Sequence, residues 1–453
     1  MDDQQSPSLP IHAFATWESV LRFLRASHRD RLAVPGARVT GFVGRGGWSV
    51  PIGHGRDERD AVERVRGALL NDGIEVVSFA VEIEPAGRAV LHILEHGPAV
   101  EHSAGPHPGA LVLAEGALPA PWHRLPDQAP GAAPAASVDP ALLERRLRER
   151  LPDAVGATEA EIVSAETRLG MALPDELKVL YRVTRAKWED WRGDYEAVRR
   201  HSEAVRCELF DLESLYVAEA ATRECLWQFG ARETVDIRPG AVVQGVVGSA
   251  GWIVFGDNGG GDRLAVDLTP GPRGHAGQVI LLSHEQSVGA ALVADSLTDL
   301  VLGRPGAESG LGEDQRPPAV AYVNTSGLRN LETAIHSGLE VLSIRSGDGP
   351  PFSLASLMGL PRLRTLIACP GTIADPREIA GLTGLEYLEL GAQDWRVLLD
   401  AKAVPRGLSA AFIKVDDDED PLPVVDLANE LLTLWDRPAI IRTVVSGDLG
   451  PAA

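Results

Sequence analysis

The sequence predicts an α+β protein built around a central antiparallel sheet, and three observations lead to this prediction. Residues 251–268 read as two short strands joined by a glycine-rich turn, the pattern of a β-hairpin. Two segments with helical spacing of apolar residues precede this hairpin, at 158–170 and 174–181. Near the end of the chain a leucine pattern recurs at nearly constant spacing. We therefore expect the sheet and its helices to be preceded by a small α/β module and followed by an arc of repeats.

The predicted N-terminal module covers residues 9–125. Thr16 is a candidate helix N-cap, and it is followed by apolar residues at helical spacing: Trp17, Val20, Leu21 and Leu24. Strand-like segments at 39–50, 74–83 and 89–94 surround a second predicted helix that begins near Asp57. This pattern predicts no function. Residues 126–138 are rich in Pro and Ala and are predicted to be a linker.

The central domain is predicted at residues 139–303. Thr158 and Glu161 have the spacing of a capping box, in which each side chain binds a free backbone N–H of the first helical turn. Gly170 is expected to end that helix, and Pro174 to begin the next one, because proline needs no backbone N–H donor at that position. The remaining predictions are helices at 214–229 and 288–302 and strands at 242–247, 251–255, 263–268 and 278–282.

The hairpin itself contains an apolar first strand at 252–255 and a turn at 256–262. Its glycines permit the positive φ angles that a tight reversal requires. Because side chains alternate along a strand, we expect one buried face, made of Leu264, Val266 and Leu268. The opposite face is expected to be exposed to solvent and contains Arg263, Ala265 and Asp267.

Three sequence blocks, in this order along the chain, resemble the SUKH superfamily. The first runs from Thr158 through Leu177 and matches the pattern E-I-x-x-x-E-x-x-L-G-x-x-L-P-x-x-L; the second is the hairpin, and the third is Gly277 to Ile280 with the apolar segment after it. Residues 183–188 depart from the family, which usually has an Asn-Gly turn there. The superfamily includes fungal regulators of cell-wall synthesis and bacterial immunity proteins, so the resemblance implies a protein that binds other proteins.

The C-terminal segment, residues 319–453, follows a second predicted linker at 304–318 and contains the repeat. Four copies of an L-x-x-L-x-L frame begin at Leu339, Leu363, Leu385 and Leu408, so that their spacings are 24, 22 and 23 residues. This frame and period resemble a short leucine-rich-repeat arc. The asparagine that usually follows the frame is absent, and a capping helix is predicted at 426–435.

Composition excludes several classes of function. The chain has 64 acidic and 43 basic residues, a formal net charge of -21, which disfavours nucleic-acid binding and suits a basic protein partner or simple solubility. Three widely spaced cysteines, at 207, 225 and 369, predict neither a disulfide framework nor a zinc site and fit a cytoplasmic protein. No signal peptide and no apolar run long enough for a membrane span is predicted.

Neither a metal site, nor a cofactor site, nor a catalytic site is predicted. Residues 257–262 resemble a calcium loop only superficially, because glycines stand at its third and fifth positions, where oxygen ligands are needed. A loose group of His92, Glu95, His96, His102 and His107 has no metal-ligand spacing. No catalytic motif accompanies the cysteines, so we predict a non-enzymatic protein.

The predicted partner-binding residues lie on the hairpin and on the segment that departs from the family. On the hairpin they are Trp252, Asp257, Asn258 and Asp262; on the other segment they are Trp188 and Trp191, close to Tyr195 and surrounded by charges. Two functions are expected from the resemblance. The first is an immunity-type protein whose acidic surface covers the active site of a basic toxin. The alternative is a regulatory scaffold that joins several proteins.

Overall fold

The computed structural model describes residues 9–101, 107–127, 132–191, 193–235, 238–306, 317–326, 331–416 and 419–451. The chain folds into two compact units. The first combines Met1–Ala117 with Pro318–Ala453, and the second is Leu118–Pro317. Most of the linker predicted at 304–318 lies outside the described residues, as do residues 128–131 of the linker predicted at 126–138.

Helices and strands are numbered in chain order. The N-terminal part of the first unit contains α1 (Phe14–Ser27), α2 (Arg29–Leu32), β1 (Val39–Gly44), β2 (Gly47–Ser49), α3 (Arg56–Asn71), β3 (Val76–Ile83), β4 (Arg88–Glu95) and β5 (Leu111–Leu113). The second unit contains α4 (Ala120–His123), α5 (Pro140–Arg150), α6 (Glu159–Leu169), α7 (Asp175–Val183), α8 (Tyr195–Val205), β6 (Glu208–Leu209), β7 (Tyr216–Val217), α9 (Trp227–Gly230), β8 (Trp252–Asp257), β9 (Arg263–Asp267), β10 (Gln278–Leu282), β11 (Ala291–Ala294) and α10 (Leu297–Leu302). The C-terminal part of the first unit contains β12 (Val320–Asn324), α11 (Leu331–Ala334), β13 (Val341–Arg345), β14 (Thr365–Ala368), β15 (Tyr387–Gly391), α12 (Ala392–Asp400), β16 (Ala410–Lys414), α13 (Pro421–Leu434) and β17 (Ile441–Asp448).

The first unit contains two sheets, and each takes a strand from the other end of the chain. One is antiparallel, in the order β17-β4-β3-β1-β2; the other has the order β12-β13-β14-β15-β16-β5, parallel except for β5. The sequence predicts residues 9–125 and 319–453 to be separate modules. In the structure the first of them, up to residue 117, forms one unit with the second. Hydrophobic periodicity is local and cannot show which distant strands will pair.

The parallel sheet places the predicted repeat positions side by side. Leu342, Leu366, Leu388 and Ala411 are direct neighbours across β13 to β16. The leucines that begin each frame are buried in the same core, as is Trp395 of α12. The helix predicted at 426–435 is present as α13, which begins five residues earlier, at Pro421, with Asp420 as its N-cap.

The second unit contains the predicted hairpin in a sheet of order β11-β10-β9-β8-β6, with β7 also paired to β8. The predicted capping box is also present: Thr158 Oγ1 accepts from the Glu161 backbone N–H, and the Glu161 carboxylate accepts from the Thr158 N–H. Three other predictions are wrong. Residues 214–229 form β7, a 3-10 turn and the start of α9 rather than one helix, 242–247 form no strand, and the last helix is shortened because β11 occupies 291–294.

The solvent-exposed face predicted for the hairpin is also wrong, because the sheet is covered on both faces. One face packs Ile253, Phe255 and Val266 against the helices. The other face packs Trp252 and Ala265 against irregular chain on the opposite side, including Ala218 and Val246. The segment between α8 and β8 supplies this second layer, which explains why that segment is long and apolar without helical spacing.

Candidate functional site

The tip of the β8–β9 hairpin is a rigid turn whose polar groups mainly bind one another. Asp257 Oδ1 accepts from the backbone N–H of Gly259 at 2.6 Å, while Arg263 pairs with the other carboxylate oxygen. Asn258 Oδ1 accepts from the Gly260 N–H at 2.8 Å. Gly259 and Gly261 have φ angles of +82° and +99°, which a side chain would strain. The turn predicted at 256–262 is therefore confirmed, and its acidic side chains hold its shape.

Asp262 connects this turn to the loop after β10. Its Oδ1 accepts the backbone N–H of His284 at 3.0 Å and lies 2.7 Å from His284 Nδ1, while Asn258 Nδ2 donates to Oδ2. The His284 backbone N–H, with the His284 side chain next, lowers the pKa of the Asp262 carboxyl. Asp257 and Asp262 therefore have structural partners, and Asn258 and the turn backbone form the exposed part of the tip.

Trp252 does not lie on a contact surface. Its side chain is 0% exposed, and its Nε1 donates to Asp267 Oδ1 at 3.0 Å. Asp267, also fully buried, accepts from Gln278 Nε2 and from the Thr269 backbone N–H. Burial raises the pKa of Asp267 to about 6, and these donors oppose the shift. Trp252 is a core residue rather than a contact residue, because a second layer of chain covers the face of the sheet on which it lies.

An exposed aromatic cluster lies between α7 and α8. Trp188 and Trp191 belong to a single 3-10 turn, and Tyr195 begins α8 after the N-cap Asp194. The Trp188 ring lies edge-on to Trp191 at 6.3 Å and to Tyr195 at 5.4 Å between centroids. Trp188 is 48% exposed and Tyr195 is 76% exposed. We call Trp188, Trp191 and Tyr195 the aromatic cluster.

Ion pairs fix the segment that leads into the aromatic cluster. Arg185 donates two hydrogen bonds of 2.8 Å to Asp190, and Lys187 pairs with Glu213 at 3.0 Å. The Arg185 guanidinium lowers the pKa of the Asp190 carboxyl. Between them, Ala186 has a φ angle of +56°, an uncommon conformation for alanine. Ala186 lies where the resemblance predicts an Asn-Gly turn. The backbone therefore adopts a left-handed conformation there, although the sequence departs from the family pattern.

A cavity of ≈ 480 Å³ adjoins the aromatic cluster. Its walls come from the chain after α5 and from α8, and they include Leu151, Val155, Asp190, Trp191, Arg200 and His201. The His201 ring lies 5.3 Å from that of Trp191. The sequence indicates the two tryptophans but not this cavity, because the α5 end that lines it is distant in the chain. The Arg185–Asp190 pair is local, but nothing in the sequence distinguishes it from the other charges nearby. A surface with exposed rings beside an apolar and charged recess suits a protein side chain or short segment.

Histidine, cysteine and carboxylate side chains are the groups through which a protein could hold a metal ion or carry out nucleophilic catalysis. Among the described residues no group of three or more His, Cys, Asp or Glu is placed to hold a metal ion. His102, one of the histidines grouped in the sequence, lies outside those residues. Burial raises the pKa of the Cys207 thiol to about 12, so this cysteine is poorly suited to act as a nucleophile. No described helix is both long and apolar enough to cross a bilayer.

The helices over one face of the sheet, the irregular layer over the other and the tight hairpin define a mixed α+β domain that carries the exposed aromatic cluster. Residues 156–303 match the SMI1/KNR4 family (SUKH-1), so the second unit contains a domain of this family. The chain is 32% identical to the Glucan synthesis regulatory protein of Neurospora crassa over 106 residues, 22% of this chain and 19% of that protein. It is 29% identical to the Cell wall biosynthesis/cell cycle regulator smi1 of Schizosaccharomyces pombe over 163 residues, 32% of this chain and 30% of that protein. The chain therefore spans less than a third of either relative.

Proposed function

We propose that this protein is a non-catalytic regulatory adaptor that binds a protein partner through the aromatic cluster. The observation that carries the proposal is the exposure of Trp188 and Tyr195 on a segment held by ion pairs. Large rings that are ordered before binding lose little conformational entropy on association, and Trp and Tyr dominate the energetics of many interfaces. Asn258, at the hairpin tip, is a further proposed contact.

The regulatory interpretation is better supported than the immunity interpretation. Both fungal relatives carry names that describe regulators, of glucan synthesis in one case and of cell-wall synthesis and the cell cycle in the other. Neither name refers to a toxin. A net charge of -21 suits a basic partner under both interpretations, so charge does not separate them. The regulatory scaffold is therefore the proposed function.

We further propose that the parallel sheet of the first unit is a leucine-rich-repeat-like arc. Support comes from the alignment of Leu342, Leu366, Leu388 and Ala411 across neighbouring strands, with returning segments of similar length between them. Such repeats bury apolar residues only by stacking on their neighbours. In this proposal the arc gives the adaptor a second interaction surface.

The proposal is tested by measuring partner binding to cluster variants. The full chain is used to capture partners from cells, and each purified partner is titrated with wild type, Trp188→Ala and Tyr195→Ala in a calorimeter. Loss of a well-placed aromatic anchor costs about 2 kcal/mol or more, so we expect Kd to rise roughly thirty-fold. The matched control is Phe229→Ala, which removes another exposed aromatic ring from the same unit and should leave Kd unchanged.

Two outcomes would contradict the proposal. One is unchanged binding by both cluster variants. The other is a partner that kills cells when expressed alone and is neutralised by this chain, which would restore the immunity interpretation.

A further inference from the structure

Strand β17 forms one edge of the antiparallel sheet in the first unit. All eight of its residues are in register with β4, from Ile441 opposite Glu95 to Asp448 opposite Arg88. Within the part of the chain that the structure describes, no other strand pairs with its outer edge. Each residue of a strand points its N–H and C=O to one side, so β17 presents a row of backbone groups away from the sheet.

In the described part of the chain, this edge has few of the features that usually protect sheet edges. Edges are commonly shortened, bulged or blocked by Lys or Pro. The opposite edge of the same sheet follows that pattern, because β2 has only three residues and Pro51 stands two residues after it. β17 has eight residues, contains neither Lys nor Pro, and pairs with β4 without a register shift. It also carries exposed apolar side chains, Ile441 at 59% and Val444 at 52%.

The two faces of β17 differ in chemistry. Gly447 and Val445 face inward; a Cβ at Gly447 would meet the Phe14 ring, and Val445 packs against the core. The outward face reads, in order, as an exposed cation, an apolar residue, a hydroxyl and an exposed anion: Arg442, Val444, Ser446 and Asp448. Reversing the direction of this strand exchanges the positive end for the negative end, so the strand is complementary to a second copy of itself.

We propose that β17 pairs antiparallel with β17 of a second copy of this chain, joining the two sheets into one. Opposed residues must present their backbone groups to the same side, so the allowed registers differ by steps of two residues. A twofold axis at Val445 sets Arg442 opposite Asp448 of the second copy, and Val444 opposite Ser446. A step in either direction sets Arg442 opposite Ser446 or Gly450, which carry no charge. Charge therefore selects the Val445-centred register.

Contacts within the chain leave both charged groups available for this pairing. Arg442 lies 3.7 Å from Asp426, a long contact between two exposed side chains. Asp448 Oδ1 accepts from the Gly450 backbone N–H at 2.7 Å, which leaves Oδ2 for a second donor. Pairing would also cover the exposed Val444 side chain, and a C2 contact buries the same patch on both copies.

The test is sedimentation equilibrium of the full chain with charge-reversal variants. We expect wild type to dimerise, and Arg442→Asp or Asp448→Arg to weaken the dimer at least tenfold, since each sets like charges opposite one another at two symmetric positions. The double variant carrying both changes should restore the dimer. Asp426→Asn removes the partner of Arg442 within the chain and should leave the dimer unchanged.

Hydrogen exchange provides a readout that does not depend on any variant: amide protection in β17 should rise with the concentration of the wild-type chain. If a reversal variant fails to fold by circular dichroism, Val444→Lys places a charge at the centre of the edge and should weaken the dimer. A wild-type chain that stays monomeric, a dimer indifferent to the single reversals, a double variant that does not recover, or an edge that binds only a different protein would overturn the proposal.

Discussion

Asp267 shows how a single buried group links the hairpin to its surroundings. Its carboxylate accepts from Trp252 on β8, from Gln278 on β10 and from the backbone at Thr269. Because burial raises the pKa of Asp267 to about 6, the folded state prefers the protonated acid. The contribution of this group to stability is therefore fully present below about pH 4 and is lost as the pH rises through about 6.

This direction of the pKa change predicts how the free energy of unfolding depends on pH. Raising the Asp267 pKa from its ordinary value near 4 to about 6 corresponds to about 3 kcal/mol. The Asp267→Asn side chain cannot titrate, so the variant should not lose stability as the wild type does when the pH rises. From pH 4 to pH 7 the difference in free energy of unfolding should therefore change by about 3 kcal/mol in favour of Asp267→Asn, measured by urea denaturation. Asp262→Asn is the control, because the Asp262 pKa is lowered and its effect appears only at acidic pH. A pH-independent difference for Asp267→Asn would contradict the assignment.

At the residue scale, the sequence indicates which kinds of residue are important better than it indicates whether they are buried or exposed in the fold. Trp252 was singled out for good reason as a large aromatic at the hairpin, but the second layer that buries it has no periodic signal. Trp188 is exposed beside Tyr195, and its contact with a partner stays a prediction. The turn at Asp257 and Asp262 was predicted from its glycines, and the structure shows the hydrogen bonds that hold it.

At the scale of elements, Glu176 joins three helices of the second unit. Its carboxylate, on α7, accepts from the backbone N–H of Leu297 at 3.0 Å and of Thr298 at 3.3 Å, at the start of α10. It also accepts at 3.3 Å from the N–H of Asp139, the N-cap of α5. A buried anion at a helix N-terminus satisfies donors that have no partner within the helix.

Replacing one of these carboxylate oxygens with an amide should be costly. Glu176→Gln sets an NH₂ group against a backbone N–H and leaves that donor without an acceptor, which costs about 1–3 kcal/mol. Urea denaturation of the full chain, monitored by tryptophan fluorescence, measures the loss. The neighbouring Asp175→Asn makes the same chemical change at an exposed site and should be near neutral. Equal losses of stability in the two variants would show that the hydrogen bonds of Glu176 to the helix N-termini do not stabilise the fold.

The elements that sequence predicted correctly are those with local signals. The capping box of α6, the Gly170 end of that helix and the glycine turn of the hairpin all depend on neighbouring residues. The errors at 214–229 and 242–247 arose where apolar content serves contacts with a sheet rather than an amphipathic helix or a strand ladder. β17 was not predicted at all, because its partner β4 lies more than 300 residues away in the chain.

At the scale of the whole molecule, the central domain is inserted within a unit built from both ends of the chain. Residues 118–317 form a unit with its own core, whereas the sheets of the other unit need strands from both flanking segments. The repeat frame could be found in the sequence, but the pairing of β5 with β16 and of β17 with β4 could not. Long-range pairing of strands depends on register and shape that local patterns do not encode.

This organisation predicts how fragments fold. A fragment of residues 118–317 should fold alone and unfold cooperatively with heat, because its helices and sheet share a hydrophobic core of their own. Residues 1–117 alone should not, since β4 would lack β17 and β5 would lack β16. Circular dichroism and proton NMR dispersion compare the two fragments, and a cooperatively folded 1–117 fragment would contradict this organisation.

If a protein partner binds at the aromatic cluster, site-specific photocrosslinking in cells should capture that partner there. A photoreactive phenylalanine derivative replaces Tyr195 in one version of the full chain and Phe229 in another. We expect a discrete partner to be crosslinked from position 195 and not from position 229. This expectation would be contradicted if position 195 captured nothing or if both positions captured the same proteins with equal yield.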